Sequence, residues 1–70
     1  MYKLLSSKEI IKTLMKYGFV EVSQKGSHVK YKNKNRVVII PHPKIETPRG
    51  TFASILRQSG LQKEDFLIGN

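Results

Sequence analysis

The sequence has 70 residues, with 13 Lys and Arg against 5 Asp and Glu, and its formal net charge is +8 at pH 7. A chain this short hides only about 60% of the surface that its unfolded form exposes, so we predict one domain over residues 1–70 and no large internal cavity. It has no cysteine, which excludes disulfides, thiolate zinc sites and thiol nucleophiles.

The longest uninterrupted apolar run, residues 37–40, is much too short to span a bilayer. The amino terminus also lacks the pattern of a signal peptide, which is positive charge followed by a long apolar stretch. We therefore expect a soluble cytoplasmic protein.

The first predicted element is a helix that begins with a capping box. Ser6 is followed three residues later by Glu9, and Leu5 and Ile10 stand where a hydrophobic staple would hold the helix start. Gly18 is expected to end the helix in the left-handed conformation. Four apolar residues recur at helical spacing and predict a stripe that faces the core: Ile10, Ile11, Leu14 and Met15.

From residue 19 the hydrophobic period changes to two, which predicts a strand to about Lys25 and a second strand from His28. Gly26 and Ser27 between them suit a type II′ hairpin turn. Val29 and Tyr31 would face the core. The two-residue turn predicts one polar face with three cross-strand pairs, which are His28 with Lys25, Lys30 with Ser23, and Lys32 with Glu21.

The rest of the chain predicts a turn at 33–35, a third strand at 37–40 and a loop to Pro48. A second helix follows from Gly50 and Thr51 to Gly60, with Leu61 covering its end, and a short extra helix over 63–68 would be anchored by Phe66 and Leu67. The inward residues of the second helix are Phe52, Ile55 and Leu56.

The fold class is thus α+β, in the order helix-strand-strand-strand-helix, with a possible short C-terminal helix added. We expect a three-stranded antiparallel sheet with two helices on one face and the other face open to solvent.

Positive charge is concentrated in the middle of the chain. No acidic residue lies between Val22 and Ile45, whereas this stretch carries six cations: Lys25, Lys30, Lys32, Lys34, Arg36 and Lys44. Such a surface favours polyanions through counterion release, with nucleic acid as the leading candidate. A solvated basic face that binds nothing is the alternative.

His28 is the candidate catalytic residue, because the predicted register places it on the polar face beside Lys25 and near Lys30. A neutral imidazole there could accept a proton. A solvated histidine on a basic strand is the simpler alternative.

His42 follows the third strand, and in an antiparallel pair that position lies close to the start of the second strand. It could share acid and base roles with His28, or it could be a rigid loop residue between Pro41 and Pro43. Two histidines and no cysteine supply too few ligands for zinc, so we expect no metal and no cofactor.

Four stretches in this order, "LMKYGF", "QKGSHVKY", "VVIIPHPK" and "GTFASILRQSGL", resemble the HicA toxins, small bacterial RNA-cleaving proteins of type II toxin-antitoxin pairs. The resemblance extends from Ser7 to Leu61. It implies a fold like that of double-stranded-RNA-binding domains, a catalytic role for His28, and inhibition by a HicB antitoxin that covers this histidine.

The predicted function is that of a metal-independent endoribonuclease, an mRNA interferase. His28 would be catalytic and His42 a candidate second proton-transfer group. The expected phosphate- and RNA-binding residues are Lys25, Gly26, Ser27, Lys30 and Lys32. The alternatives are a non-catalytic module that binds double-stranded RNA by shape and phosphate contacts, and a basic protein that docks on an acidic partner.

Overall fold

The structure is a computed structural model that describes residues 4–67. Three strands form one antiparallel sheet in the order β1-β2-β3, and helices precede and follow it. This confirms the predicted α+β order, including the short third helix, although Ile68 at its predicted end lies outside the described residues. The elements are α1 (Ser7–Lys16), β1 (Val20–Lys25), β2 (His28–Asn33), β3 (Arg36–Pro41), α2 (Arg49–Ser59) and α3 (Lys63–Leu67).

Both ends of α1 have the predicted capping interactions. The Ser6 hydroxyl accepts from the Glu9 amide at 3.1 Å, and the Glu9 carboxylate accepts from the Ser6 amide at 2.9 Å. At the other end Gly18 has a φ of 94°. The amides of Gly18 and Phe19 donate to the Met15 and Leu14 carbonyls, which is a Schellman ending.

One face of the sheet carries the hydrophobic core. Val29 and Tyr31 of β2 lie opposite Ile40 and Val38 of β3, and all four are buried. The helices pack against this face, so the opposite face is open, as predicted. The other buried hydrophobic residues among those described are Ile10, Leu14, Phe19, Ile55 and Phe66, with Phe52, Leu56 and Leu61 packed partly buried against them.

Two residues predicted to anchor helices are exposed instead. Met15 is 59% exposed and Leu67 is 47% exposed. Each follows a fully buried residue, Leu14 and Phe66 respectively, and consecutive residues on a helix point about 100° apart. The buried stripe is therefore narrower than the apolar pattern suggested.

Both hairpin turns have two residues. Gly26 has a φ of 59° and Ser27 does not share the left-handed conformation, which agrees with the predicted type II′ turn. The second turn consists of Lys34 and Asn35, and Lys34 has a φ of 55° although it is not glycine.

The predicted register holds only near the first turn. Lys25 lies opposite His28 and Ser23 opposite Lys30, as expected. The predicted pairing of Lys32 with Glu21 is wrong, because the register shifts at a β-bulge between Glu21 and Ser23. The extra residue in β1 places Glu21 opposite Tyr31 and Val20 opposite Lys32.

β1 forms one edge of the sheet, and all six of its residues are exposed. The other edge strand, β3, is covered by α2, where the Gln58 side chain accepts from the Ile39 amide at 3.0 Å. Within residues 4–67, no helix has both the length and the apolar character needed to cross a membrane.

Candidate active site on the open sheet face

The open face is the surface formed by the outward side chains of β2, which are His28, Lys30 and Lys32, together with the β1 and β3 residues opposite them. His28 is the first residue of β2 and is exposed. Lys25 of β1 lies on one side of it and Pro41 of β3 on the other. The imidazole therefore stands at the end of the sheet, next to the β1–β2 turn.

The lysines of this face surround His28 at short range. Directly opposite residues of an antiparallel pair have Cα atoms about 5 Å apart, and alternate residues of one strand are about 6.6 Å apart. Lys25 and Lys30 occupy these two positions relative to His28, and both are exposed. Lys32 continues the row, so a phosphate bound beside the imidazole would be within reach of ammonium groups.

The β-bulge makes the open face more basic than the sequence indicated. Glu21 is the one acidic residue of the β1–β2 hairpin. The register shift moves it from Lys32 to Tyr31, which faces the helices. Burial, and secondly the Glu21 carboxylate, raises the pKa of the Tyr31 hydroxyl. Val20, 60% exposed, takes the place opposite Lys32.

The turn before His28 consists of Gly26 and Ser27, both exposed. A Cβ built on Gly26 would meet nothing within 4 Å, so the positive φ of this residue requires glycine while packing does not. Open space at this position is what close approach of an RNA backbone would need. The Ser27 carbonyl accepts a hydrogen bond of 2.7 Å from the His42 amide.

That bond places the His42 backbone where the hairpin argument expected it, next to the turn that precedes His28. The imidazole, however, points elsewhere: its Nδ1 lies 2.7 Å from the Ser7 hydroxyl. Pro41 pairs with His28 and shares its face, so by alternation along the strand the next residue points to the helix-covered face. The structure thus brings the two histidine backbones together and places their rings on opposite faces.

Ser7 is a site residue that sequence reasoning missed. It is the first residue of α1, is 1% exposed, and contacts both His42 and Lys44 through its hydroxyl. The sequence contained one signal. The capping box is formed by Ser6 with Glu9 and does not use Ser7. The second serine of the pair therefore has no role in starting the helix.

Two of the cavities in the described surface lie away from His28, which lines neither of them. One, about 250 Å³, is mostly apolar and lies between α2, α3 and residues 4–5. The other, about 390 Å³, is near the β2–β3 turn at the far end of the sheet. In residues 4–67 no group of three His, Asp or Glu side chains is arranged to hold a metal ion. The candidate site is a shallow surface, as expected for so small a domain.

The fold and the site define a small α+β protein with a basic sheet face and a histidine at the start of its central strand. The family model for the HicA toxin of bacterial toxin-antitoxin systems matches residues 7–61, which include both histidines and most of the chain. The chain therefore belongs to the HicA toxin family, and such a toxin implies an antitoxin partner. No curated protein matches the chain.

Proposed function

We propose that this chain is a metal-independent endoribonuclease that cleaves mRNA, with His28 as its acid or base. The observation that supports this most strongly is an exposed imidazole on the open face, opposite Lys25 and two residues from Lys30 along β2, in a member of a toxin family.

The proposed reaction uses the nucleophile that RNA itself carries. A base removes the proton of a ribose 2′-hydroxyl, the 2′-oxygen attacks the adjacent phosphorus, and the bond to the 5′-oxygen breaks. The leaving 5′-oxygen takes up a proton, and the other product carries a 2′,3′-cyclic phosphate. DNA lacks this hydroxyl, which accounts for RNA specificity without base readout.

His28 would transfer the proton, a contribution typically worth about 10² to 10⁴ in rate. Lys25 and Lys30 would stabilise the negative charge that grows on the phosphoryl oxygens. Gly26 and Ser27 would let the RNA backbone approach the turn, and Lys32 would bind a further phosphate.

A second group has to complete the proton transfers. His42 is the candidate that the sequence analysis named, and Lys30 is the next candidate. Lys30 shares the open face with His28, whereas the His42 ring contacts Ser7 behind the sheet. We therefore favour Lys30 for this step.

In the cell, cleavage of mRNA would stop translation and arrest growth. A HicB antitoxin would prevent this by covering His28 in the cytoplasm. The charge of +8 on so small a body favours an inhibitor that presents acidic residues to the open face, because complementary charge speeds association.

The test is the variant His28→Ala, incubated as purified protein with labelled RNA. We expect it to fold and to bind RNA, and to lose cleavage and growth arrest. Ser23→Ala is a matched control, since Ser23 is exposed on the same face opposite Lys30 and has no proposed chemistry. A correctly folded His28→Ala protein that still cleaves RNA would end the assignment.

The same experiment separates the enzyme from a binding module that grips duplex RNA through its cations alone. A binding module would shift the RNA band and leave its length unchanged, in wild type and variant alike. An enzyme shortens the RNA.

A further inference from the structure

Several hydrogen bonds connect the segment after β3 to the start of α1. The Ser7 amide donates to the Lys44 carbonyl at 2.9 Å, and the Lys44 amide donates to the Ser7 hydroxyl at 2.9 Å. Further along, the Thr47 amide donates to the Leu5 carbonyl at 2.8 Å. The backbone from 44 to 47 thus follows the helix start closely.

His42 connects the 44–47 segment and the start of α1 to the candidate site. Its ring Nδ1 lies 2.7 Å from the Ser7 hydroxyl, and its amide donates to the Ser27 carbonyl at 2.7 Å. Ser27 immediately precedes His28 in the chain. A continuous path of hydrogen bonds therefore runs from the buried first residue of α1 to the turn that carries the proposed catalytic group.

Apart from the pairing of its flanking strands and the bond from His42, the β1–β2 turn is held by a hydrogen bond from the Gln24 side-chain amide to the Gly26 carbonyl at 3.3 Å. Gly26, Ser27 and His28 are all exposed, and β1 is the uncovered edge of the sheet. The His42 amide extends the β2–β3 ladder one bond beyond Pro41. The ring's contact with Ser7 holds this residue from the other side, next to the bonds between Ser7 and Lys44.

We propose that His42 is a positioning residue, and that its bond to Ser7 holds the Gly26–His28 turn in place for cleavage. This proposal rests on the proposed function, and it replaces proton transfer as the role of His42. Two observations disfavour direct contact between the His42 ring and the reacting phosphate. The Ser7 hydroxyl occupies Nδ1, and the ring lies on the face away from His28.

Four variants separate positioning from proton transfer. His42→Asn retains an amide group near the position of Nδ1, so it can bond to Ser7 but cannot exchange a proton near neutral pH. His42→Ala and Ser7→Ala each break the bond, and Ser7→Ala also removes the acceptor of the Lys44 amide, which His42→Ala leaves in place. Ser6→Ala is the control: it removes the α1 cap, at a cost of about 1 kcal/mol in stability, without touching His42.

For each variant kcat, KM and the pH profile of cleavage are measured. We expect His42→Ala and Ser7→Ala to lower kcat by about 10- to 100-fold with KM nearly unchanged, because small misplacement of a catalytic group costs rate steeply. His42→Asn should stay within about threefold of wild type, with the same pH profile. Ser6→Ala should do the same at a temperature where it is folded.

Three results would overturn the proposal. A His42→Asn protein as impaired as His42→Ala, with one limb of the pH profile missing, would make His42 a proton-transfer group. Unchanged kcat in both His42→Ala and Ser7→Ala would remove any role in cleavage. An equal loss in Ser6→Ala would mean that helix stability alone is responsible.

The hydrogen bond between the Ser7 and His42 side chains acts as a clamp on the turn, and amide hydrogen exchange at residue 42 tests this clamp even if the proposed function fails. Wild-type protein that leaves RNA intact would end the proposed function. Faster exchange at this amide in His42→Ala and Ser7→Ala, with wild-type exchange in His42→Asn and Ser6→Ala, would still support the clamp. Equal exchange in all the proteins would overturn it.

Discussion

Under the proposed function, the contribution of each lysine to RNA binding should depend on which face of the sheet it occupies. Lys30 lies on the open face, between Ser23 of β1 and Ile39 of β3. Lys12 is also exposed but belongs to α1, in the layer behind the sheet. The two residues have the same charge and differ in whether they can contact a phosphate held near His28.

We predict that Lys30→Ala weakens RNA binding and lowers the salt slope of log K against log[salt] by about 1, because one fewer phosphate contact releases one fewer counterion. Lys12→Ala is the charge-matched control and should change the slope much less. Both are measured by RNA titration at several salt concentrations in a His28→Ala background, where the RNA stays intact. Equal slopes in the two variants would mean that net charge, and not the open face, determines binding.

At the scale of the elements, the β2–β3 turn is the clearest local conflict between sequence and conformation. Lys34 has a φ of 55° at the first central position, where a two-residue turn of this kind favours glycine. Left-handed backbone costs an L-residue with a Cβ about 1–2 kcal/mol.

Lys34→Gly should therefore increase the free energy of unfolding by about 0.5–1 kcal/mol, after allowing for the greater freedom of glycine in the unfolded chain. Asn35→Gly is the control, because Asn35 has no positive φ to relieve, and it should be neutral or destabilising. Urea unfolding of both variants tests this. A Lys34→Gly protein less stable than wild type would contradict it.

Much of the fold was predictable because its signals are local. The capping box at Ser6, the left-handed glycines after α1 and α2, and the Gly26–Ser27 turn each depend on neighbouring residues. The bulge in β1 was not predictable, since Glu21, Val22 and Ser23 fit an unbroken alternation equally well. Burial of Met15 and Leu67 was wrong because periodicity indicates an apolar stripe and cannot give its width.

For the candidate site, the sequence predicted where His28 and Lys25 meet, because a two-residue turn fixes the register beside it. It also predicted that His42 comes near this end of the sheet. It could not predict where the His42 ring points, since that depends on Ser7, 35 residues away in the chain.

At the scale of the whole molecule, three of the acidic groups lie on the helices, away from the open face. Glu9 lies at the start of α1, and Glu64 and Asp65 lie in the first turn of α3, where they favour the helix starts. The bulge turns Glu21 away from the open face. The cations of β2 are left to define the surface that an RNA or an acidic antitoxin would meet.

Stability should fall in alkaline solution through Tyr31. Burial raises the pKa of its hydroxyl above the ordinary value of 10.0. The unfolded chain then loses its proton first, so the contribution of Tyr31 to stability is fully present below pH 10 and is lost as pH rises through the folded-state pKa. Tyr31→Phe removes this contribution. Urea unfolding is measured at pH 8 and above pH 10. Between these two conditions the urea midpoint should fall further for wild type than for the variant, and equal falls would refute the linkage.

The central claim, that His28 makes the ribose 2′-hydroxyl the nucleophile, is tested most directly by the end groups of cleaved RNA. With wild-type protein we predict 2′,3′-cyclic phosphate or 3′-phosphate ends and 5′-hydroxyl ends, formed equally well in EDTA, and no such ends with His28→Ala. Products with 3′-hydroxyl ends, or the same products from the folded variant, would contradict it.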